Sequence, residues 1–584
     1  MSLTKITLCA FLACINSSLL AKQSVPEQKT IELKPAPSII NYQSAHHPVV
    51  AENGMVVSRQ YLASQVGRQI LQKGGNAVDA AIATGFALSV VLPVAGNIGG
   101  GGFMLVHMAE TGETIAIDYR EMAPANAHKD LFLDADGNVD NQKARFSYLS
   151  VGVPGTVAGF ELAHKKYGKL AWKELLQPAI DLAENGFYVN WDIAQKLERR
   201  RTHLTQSTAT KKAFYKEDGT SYQLGETLKQ QDLAWSLKQI QKEGAKAFYH
   251  GKIADKIVRN MEVNGGIISR KDLANYRPKI RSVIKGSYRG YDIVTMPLPS
   301  SGGVHIVQML NVLEHFPMNE YGVNTAKSIR VMTETMKRAY ADRSKHLGDS
   351  DFYDAPVEWL ISKDYAKSIA TEIQKGQVTP SKDILPGTEP AKESDETTQF
   401  SVVDKWGNAV SNTYTLNYSF GSGLMVEGTG ILLNNEMDDF SAKPGAPNGY
   451  GLIGGEANAI EANKRPLSSM TPTMVFKDGK VKLITGSPGG SRIINAVLQI
   501  IVNVIDHNMN IAAATHTPRF HHQWLPDALF VEPEINQDTV NILENMGYKV
   551  RRSGTIGATQ SIQIEDYIYG SADPRRPNAE ASGY

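Results

Sequence analysis

Two short runs of β-branched and aromatic residues, 400–403 and 409–416, flank the turn sequence Lys405-Trp406-Gly407-Asn408, and the pattern predicts a β-hairpin. A second hairpin is predicted from residues 473–476 and 481–485 around Lys477-Asp478-Gly479-Lys480. Ser487-Pro488-Gly489-Gly490 then leads into a helix predicted for residues 491–505. Further upstream, residues 103–108 and 114–120 read as strands, the latter alternating Ile115, Ile117 and Tyr119 against Ala116, Asp118 and Arg120. Helical spacing of Leu62, Val66, Ile70 and Leu71 places a helix over residues 58–73 with Ser58 as its N-cap. Asn76 caps the next helix, residues 77–92, which is apolar nearly all round and is therefore expected to be buried. Residues 156–375 are mostly helical by periodicity, with segments at 156–167, 172–185, 228–243 and 326–345. Residues 430–435 read as one more strand.

Residues 379–396, TPSKDILPGTEPAKESDE, are dense in Pro, Ser, Lys and acids, cannot build a core, and read as a mobile linker. It runs straight into Thr397, which opens the first predicted hairpin. Cutting the Glu396-Thr397 bond would give Thr397 a free α-amine beside its own hydroxyl. A Thr hydroxyl is a weak nucleophile, and an α-amine with a pKa of about 7.7 to 8.0 can serve as its base. Thr-Thr also opens strands that carry no chemistry, so residue types alone leave both readings open.

Composition narrows the class. The 584 residues carry 61 Lys plus Arg against 60 Asp plus Glu, and this balance provides no long-range field for nucleic acid or an anionic membrane. Residues 1–21 have the basic and apolar pattern of a secretory leader, which contains both cysteines, Cys9 and Cys14; Phe11-Leu12-Ala13-Cys14 is also a weak match to a lipoprotein cleavage box. No disulfide is expected in the mature chain. The longest uncharged run beyond the leader, residues 80–95, is shorter than the roughly 18 residues that span a bilayer and contains Pro93.

Gly99-Gly100-Gly101-Gly102 lacks the Gly-Lys-Ser/Thr ending and strand-turn-helix order of a phosphate loop, so the glycines are expected to let backbone pack closely. Glu436, Asp438 and Asp439 have no histidine nearby, and His516, His521 and His522 lack ligand spacing; neither a catalytic metal nor a cofactor is expected. The cluster Arg199-Arg200-Arg201 reads as a solvated helix end, and residues 297–303, PLPSSGG, as a loop entering a helix. Residues 444–455, PGAPNGYGLIGG, form a flexible loop with one aromatic, Tyr450.

TTQFSVVD, NTYTLNYSFGSG, GILLNNEMDDFSAKPG, NKRPLSSMTPT and TGSPGGSRII, with NIGGGGFM and DYREMAP in the first half, resemble in order and spacing the motifs of the γ-glutamyltranspeptidases, a family of N-terminal-nucleophile hydrolases. The resemblance covers nearly the whole chain beyond the leader. It implies an α+β fold, a four-layer αββα sandwich forming one globular unit. Self-cleavage would build that unit from a large subunit, residues 22–396, and a small one, residues 397–584, that stay together as a heterodimer. It implies hydrolysis and transfer of the γ-glutamyl group of glutathione and related compounds, with amino acids or peptides as acceptors, in the periplasm or outside the cell. By resemblance Thr397 is the nucleophile, Thr415 orients it, and the Gly489 and Gly490 amides form the oxyanion hole. Arg120, Ser468 and Ser469 would hold the substrate α-carboxylate. Asn417, Glu436 and Asp439 would hold its α-ammonium, the family accepting Glu or Gln at the position of Glu436. Tyr450 would belong to a lid. A β-lactam side-chain acylase shares these motifs but has no ammonium to satisfy the acids, and a binding protein that lost catalysis would leave the chain uncut.

Overall fold

The computed structural model describes residues 44–384, 397–446, 448 and 451–584. The leader, the linker from residue 385 through Glu396, and Tyr450 lie outside the described residues. The first hairpin forms as Thr398–Val403 and Ala409–Thr415, with Thr398 opposite Tyr414 and Val403 opposite Ala409. It occupies the middle of a seven-stranded antiparallel sheet in the order Glu580–Gly583, Met55–Ser58, Thr398–Val403, Ala409–Thr415, Gly101–Met108, Glu113–Tyr119, Lys279–Arg281. A second antiparallel sheet runs Val49–Ala51, Ile568–Ala572, Gln560–Ile564, Lys480–Thr485, Thr473–Lys477, Tyr291–Thr295, Ile284–Tyr288. Both sheets interleave strands from before and after residue 397.

Side-chain alternation then sorts the residues into layers. Phe400, Val402, Val410, Ile115, Ile117 and Tyr119 pack outward against helices that include Tyr61–Gln72, Ala77–Val91 and Thr156–Tyr167. Met55, Phe103, Leu105 and Val403 face Met474, Ile484 and Ile562 of the other sheet. The far face of the second sheet carries Ile293, Val475 and Leu483 under helices that include Ser301–Leu313, Ala326–His346 and Arg492–Ile505. Three apolar interlayers between four layers make the αββα sandwich. Hydroxyls also tie the two sheets together, Ser401 Oγ donating to Gln560 O at 2.8 Å and Ser411 Oγ to Thr485 O at 3.0 Å.

All fifteen residues of Ala77–Val91 are buried, as an all-round apolar helix requires, and Asn76 with Asp79 forms a capping box at its start. The preceding helix differs from the expectation. It runs Tyr61–Gln72, because Ser58 is the last residue of a strand paired with Phe400 and Glu580, and the Gln60 side chain caps the Leu62 N–H instead. The strand expected over residues 430–435 shrinks to Ile431–Leu432, since the Asn434 side chain leaves to bind Gly99 O and Gly152 O. The glycine run does what close approach demands: a Cβ at Gly100 would lie 2.0 Å from Thr415 O, and one at Gly102 would lie 2.4 Å from Thr413 O. The segment expected to be linker begins with fixed structure. Arg338 holds Thr379 Oγ1, Ser381 bonds Asp527, and Trp524 Nε1 donates to Ser381 O at 2.9 Å. Among the described residues no helix is long and apolar enough to cross a membrane.

Candidate active site

Thr397 immediately precedes the central strand Thr398–Val403 and is 3% exposed. Its Oγ lies 3.4 Å from the Oγ of Thr415, the last residue of the partner strand. Thr415 Oγ accepts the Asn417 N–H at 2.8 Å, which fixes one lone pair and aims the rest of the hydroxyl at Thr397. Arg59 Nη1 donates to Thr397 O at 3.2 Å and pins the backbone of the same residue. Asn417 stands at φ 77°, a left-handed position Asn tolerates, and its Nδ2 donates to Asn435 O at 3.0 Å. Gly489 and Gly490 have φ 132° and 53°, conformations costly for residues with a Cβ, between Lys480–Thr485 and the helix Arg492–Ile505. Among the described residues neither glycine N–H donates to a protein acceptor. Ser491 O, the next carbonyl, accepts from Tyr340 Oη.

The other end of the same cleft is charged. The Arg120 guanidinium is 1% exposed; its Nη1 meets Glu436 Oε1, its Nη2 meets Asp439 Oδ2, and its Nε donates to Pro466 O at 3.3 Å. Glu436 and Asp439 come from the short turn Glu436–Asp439, which is anchored by Met437 and the following Phe440 in an apolar cluster with Phe132 and Ile460. Burial raises the pKa values of Glu436 and Asp439, and the Arg120 charge opposes the rise. Burial would lower Arg120, yet Glu436, Asp439 and Glu121 together hold it above its usual value. Glu121, fully buried with its carboxylate 3.7 Å from Arg120 Nη1, is pushed up to about 7 by burial.

Arg120 was expected on a substrate carboxylate and the two acids on an ammonium; in this structure they pair with one another. One guanidinium offsets two carboxylates only in part, and Glu436 Oε2 has no hydrogen-bond partner among the described residues, so the cluster can still take a cation. Ser468 and Ser469 sit beside them. Residues 297–303, expected as a loop entering a helix, hold them there: Ser301 N donates to Ser468 O and Ser468 N to Pro299 O, both at 2.8 Å.

A cleft of about 310 Å³ is lined by Arg120, Thr397, Thr415, Asn417, Glu436, Asp439, Ser468, Ser469 and Gly490. Gly489 stands just behind Gly490, outside that lining. From the expected lid loop, Leu452 lines the cleft, and Asn448 Nδ2 lies 3.4 Å from Asp439 Oδ1. Two residues that the sequence left unremarked belong to the site, Glu121 and the cleft-lining Arg343. Arg343 occupies a buried-face position on its helix, in register with Met332, Met336 and Ala339, and a charge in an apolar stripe was the available signal.

The profile of the family described as Gamma-glutamyltranspeptidase matches residues 63–583. The chain belongs to that family. It is 52% identical over 544 residues to the glutathione hydrolase proenzyme of Escherichia coli strain K12, covering 93% of this chain and 94% of that one. It is 39% identical to the Bacillus subtilis strain 168 glutathione hydrolase proenzyme, covering 97% of each. Among solved structures, the cephalosporin acylase of Bacillus halodurans superposes with a TM-score of 0.81 at 28% identity over 94% of this chain and 99% of that one. The γ-glutamyltranspeptidase of Helicobacter pylori is 46% identical with a TM-score of 0.55, over 61% of this chain and 97% of that one. Membership of the family makes the cleft around Thr397 the place to look for chemistry.

Proposed function

We propose that the protein is a self-cleaving γ-glutamyl transferase and glutathione hydrolase. One observation carries the reading: a buried threonine at the head of a strand shares a single cleft with an Arg-Glu-Asp cluster and two serines. A γ-glutamyl group has a zwitterion at one end and an amide carbonyl at the other, and the cleft is polar in the corresponding two ways.

The chemistry follows from the geometry. In the continuous chain Thr397 Oγ attacks the Glu396 carbonyl, the amide nitrogen of Thr397 leaves as an amine, and water releases Glu396 from the ester. A group held in place this way gains on the order of 7 to 11 kcal/mol over a free reactant. The freed amine then takes the Thr397 Oγ proton as Oγ attacks the donor γ-carbonyl. The oxyanion settles at the Gly489 and Gly490 N–H groups, which have no competing protein acceptor among the described residues. Collapse returns the proton to the departing amine and leaves a γ-glutamyl ester on Thr397. Water converts the ester to glutamate, or an amino acid or peptide amine carries the group away. Asn417, Glu436 and Asp439 bind the ammonium, and Arg120 with Ser468 and Ser469 the carboxylate. The pieces 22–396 and 397–584 remain one body, and residues 1–21 direct export.

The 37% identity to Acylase ACY 1 proenzymes of Pseudomonas keeps a glutaryl-specific acylase as the rival. Glu436 and Asp439 oppose it, because Arg120 offsets only one of their two charges and a glutaryl group brings no ammonium for the other. Denaturing electrophoresis with N-terminal sequencing of the smaller band tests the cleavage: the parent is expected to start a fragment at Thr397, and Thr397→Ala to stay a single chain without activity. Normal processing of Thr397→Ala would sink the assignment. Release of p-nitroaniline from the γ-glutamyl anilide but not from the glutaryl anilide separates the two donors.

A further inference from the structure

Arg343 enters the cleft from the helix Ala326–His346 and is 5% exposed. Among the described residues its guanidinium meets hydroxyls and no carboxylate. Nε donates to Ser301 Oγ at 2.9 Å and Nη2 to Ser469 Oγ at 3.3 Å. With no acid in contact to compensate burial, the guanidinium is pulled down to about 10, whereas Arg120, which lines the same cleft, is held high by Glu436, Asp439 and Glu121.

The direction of these bonds matters. A serine hydroxyl has one proton to give, and a hydroxyl that already accepts from a fixed donor keeps that proton free. Ser469 Oγ accepts from Arg343, and Ser468 Oγ accepts from the Met470 N–H at 3.1 Å. Ser301 completes the relay by donating its own proton to Ser468 O at 2.8 Å. Two adjacent hydroxyls are thereby set to donate, the arrangement an anion requires. Charge points the same way: Arg120 is in direct contact with Glu436 and Asp439, while Arg343 feels Asp439 only at longer range and touches no carboxylate among the described residues.

We propose that Arg343 is a specificity-determining positioning residue: it orients Ser469 to donate to the α-carboxylate of the donor and supplies the second cation at that end of the cleft. The inference rests on the γ-glutamyl reading and deepens it. Carboxylate-bearing donors are then selected by an Arg343-Ser469 pair as well as by Arg120.

The test compares Arg343→Met, Arg343→Lys and Ser469→Ala on two anilides, γ-glutamyl-p-nitroanilide and 4-aminobutanoyl-p-nitroanilide, which keeps the amine but lacks the α-carboxylate. For Arg343→Met the γ-glutamyl kcat/KM is expected to fall about 10- to 100-fold, chiefly through KM, as for a lost charged hydrogen bond made equally in ground and transition states. The 4-aminobutanoyl substrate should change less than about 3-fold, since it lacks the group Arg343 serves. Arg343→Lys should recover part of the KM, because it keeps charge without the fork. In the Ser469→Ala background the loss from Arg343→Met should shrink, as expected when one residue acts through another. Equal losses on both anilides, or full additivity with Ser469→Ala, would overturn the inference and leave Arg343 a brace for the loop. If Arg343→Met fails to fold or self-cleave, Arg343→Lys carries the same two-donor comparison. A parent protein inactive on the γ-glutamyl anilide would overturn the functional reading and this inference with it.

Discussion

The two ends of the cleft solve opposite problems. At the Thr397 end the groups nearest the hydroxyl are neutral, a second hydroxyl 3.4 Å away and a turn of two glycines, and the Arg59 guanidinium donates to the Thr397 carbonyl. At the Arg120 end nearly every group is charged, and one guanidinium is shared between two carboxylates, leaving Glu436 Oε2 without a hydrogen-bond partner among the described residues. The contrast teaches where each kind of cost falls. Recognition of a zwitterion needs buried ions, which are stable only in mutual pairs. Oxyanion stabilisation needs unspent donors held rigidly, which neutral amides provide without such pairing.

The sharpest way to break the neutral end is Gly489→Ala. A Cβ at φ 132° forces the turn to rearrange and moves the free amides, so kcat is expected to fall about 10²- to 10³-fold with KM little altered, as single-turnover and steady-state assays on the γ-glutamyl anilide would read. Asp439→Asn probes the charged end, where the expected loss is smaller, about 10- to 100-fold, and falls mainly on KM, since Glu436 still balances Arg120 and the catalytic turn is untouched. A kcat effect larger than the KM effect would show that the two ends are not separable.

Glu121→Gln sharpens the comparison most gently, through pH. Its carboxyl is raised from 4.5 to about 7 in the fold, so the folded state favours the protonated form. Its stabilising contribution is complete below pH 4.5 and is lost as pH rises through about 7. Thermal melts from pH 5 to 8 should therefore show the parent losing stability relative to Glu121→Gln, and parallel curves would refute this.

Much of the fold was legible because the signals were local. The turn Lys405-Trp406-Gly407-Asn408 marks one hairpin, and Asp478-Gly479, both at positive φ, mark the other. The helices 156–167 and 172–185 fell on their predicted ends, where breakers follow periodic runs. Membership of the site was legible where a motif resemblance reached a residue. It failed for Arg343 and Glu121 because their meaning lies in what the fold stacks against them. The helix Ala326–His346 was legible as a helix, but Glu334, Lys337, Asp342 and Arg343 are all buried within it, with partners distant in sequence such as Tyr548 and Ser469. Periodicity marks Arg343 as a charge within an apolar stripe, but it cannot name the partner that the fold supplies from elsewhere. Likewise Ser300 and Ser301 looked like a helix start, which they are, and nothing local announces that the same residues carry the backbone of Ser468.

The placement of Met55–Ser58 between Thr398–Val403 and Glu580–Gly583 bears on the lifetime of one peptide bond. Made as separate polypeptides, the stretches before and after residue 397 would each present bare strand edges to solvent and would have to find the other by bimolecular encounter. Joined, they search as a loop, and ordering needs only the modest entropy of closing it. Once the sheets are zipped the pairings of the described strands run through Thr398–Val403 and its neighbours, and the proposed cut before Thr397 would release an amine and leave those pairings in place. On the proposed cleavage, covalent continuity at this point would act as an assembly aid, needed while the chain is finding its shape and dispensable afterwards.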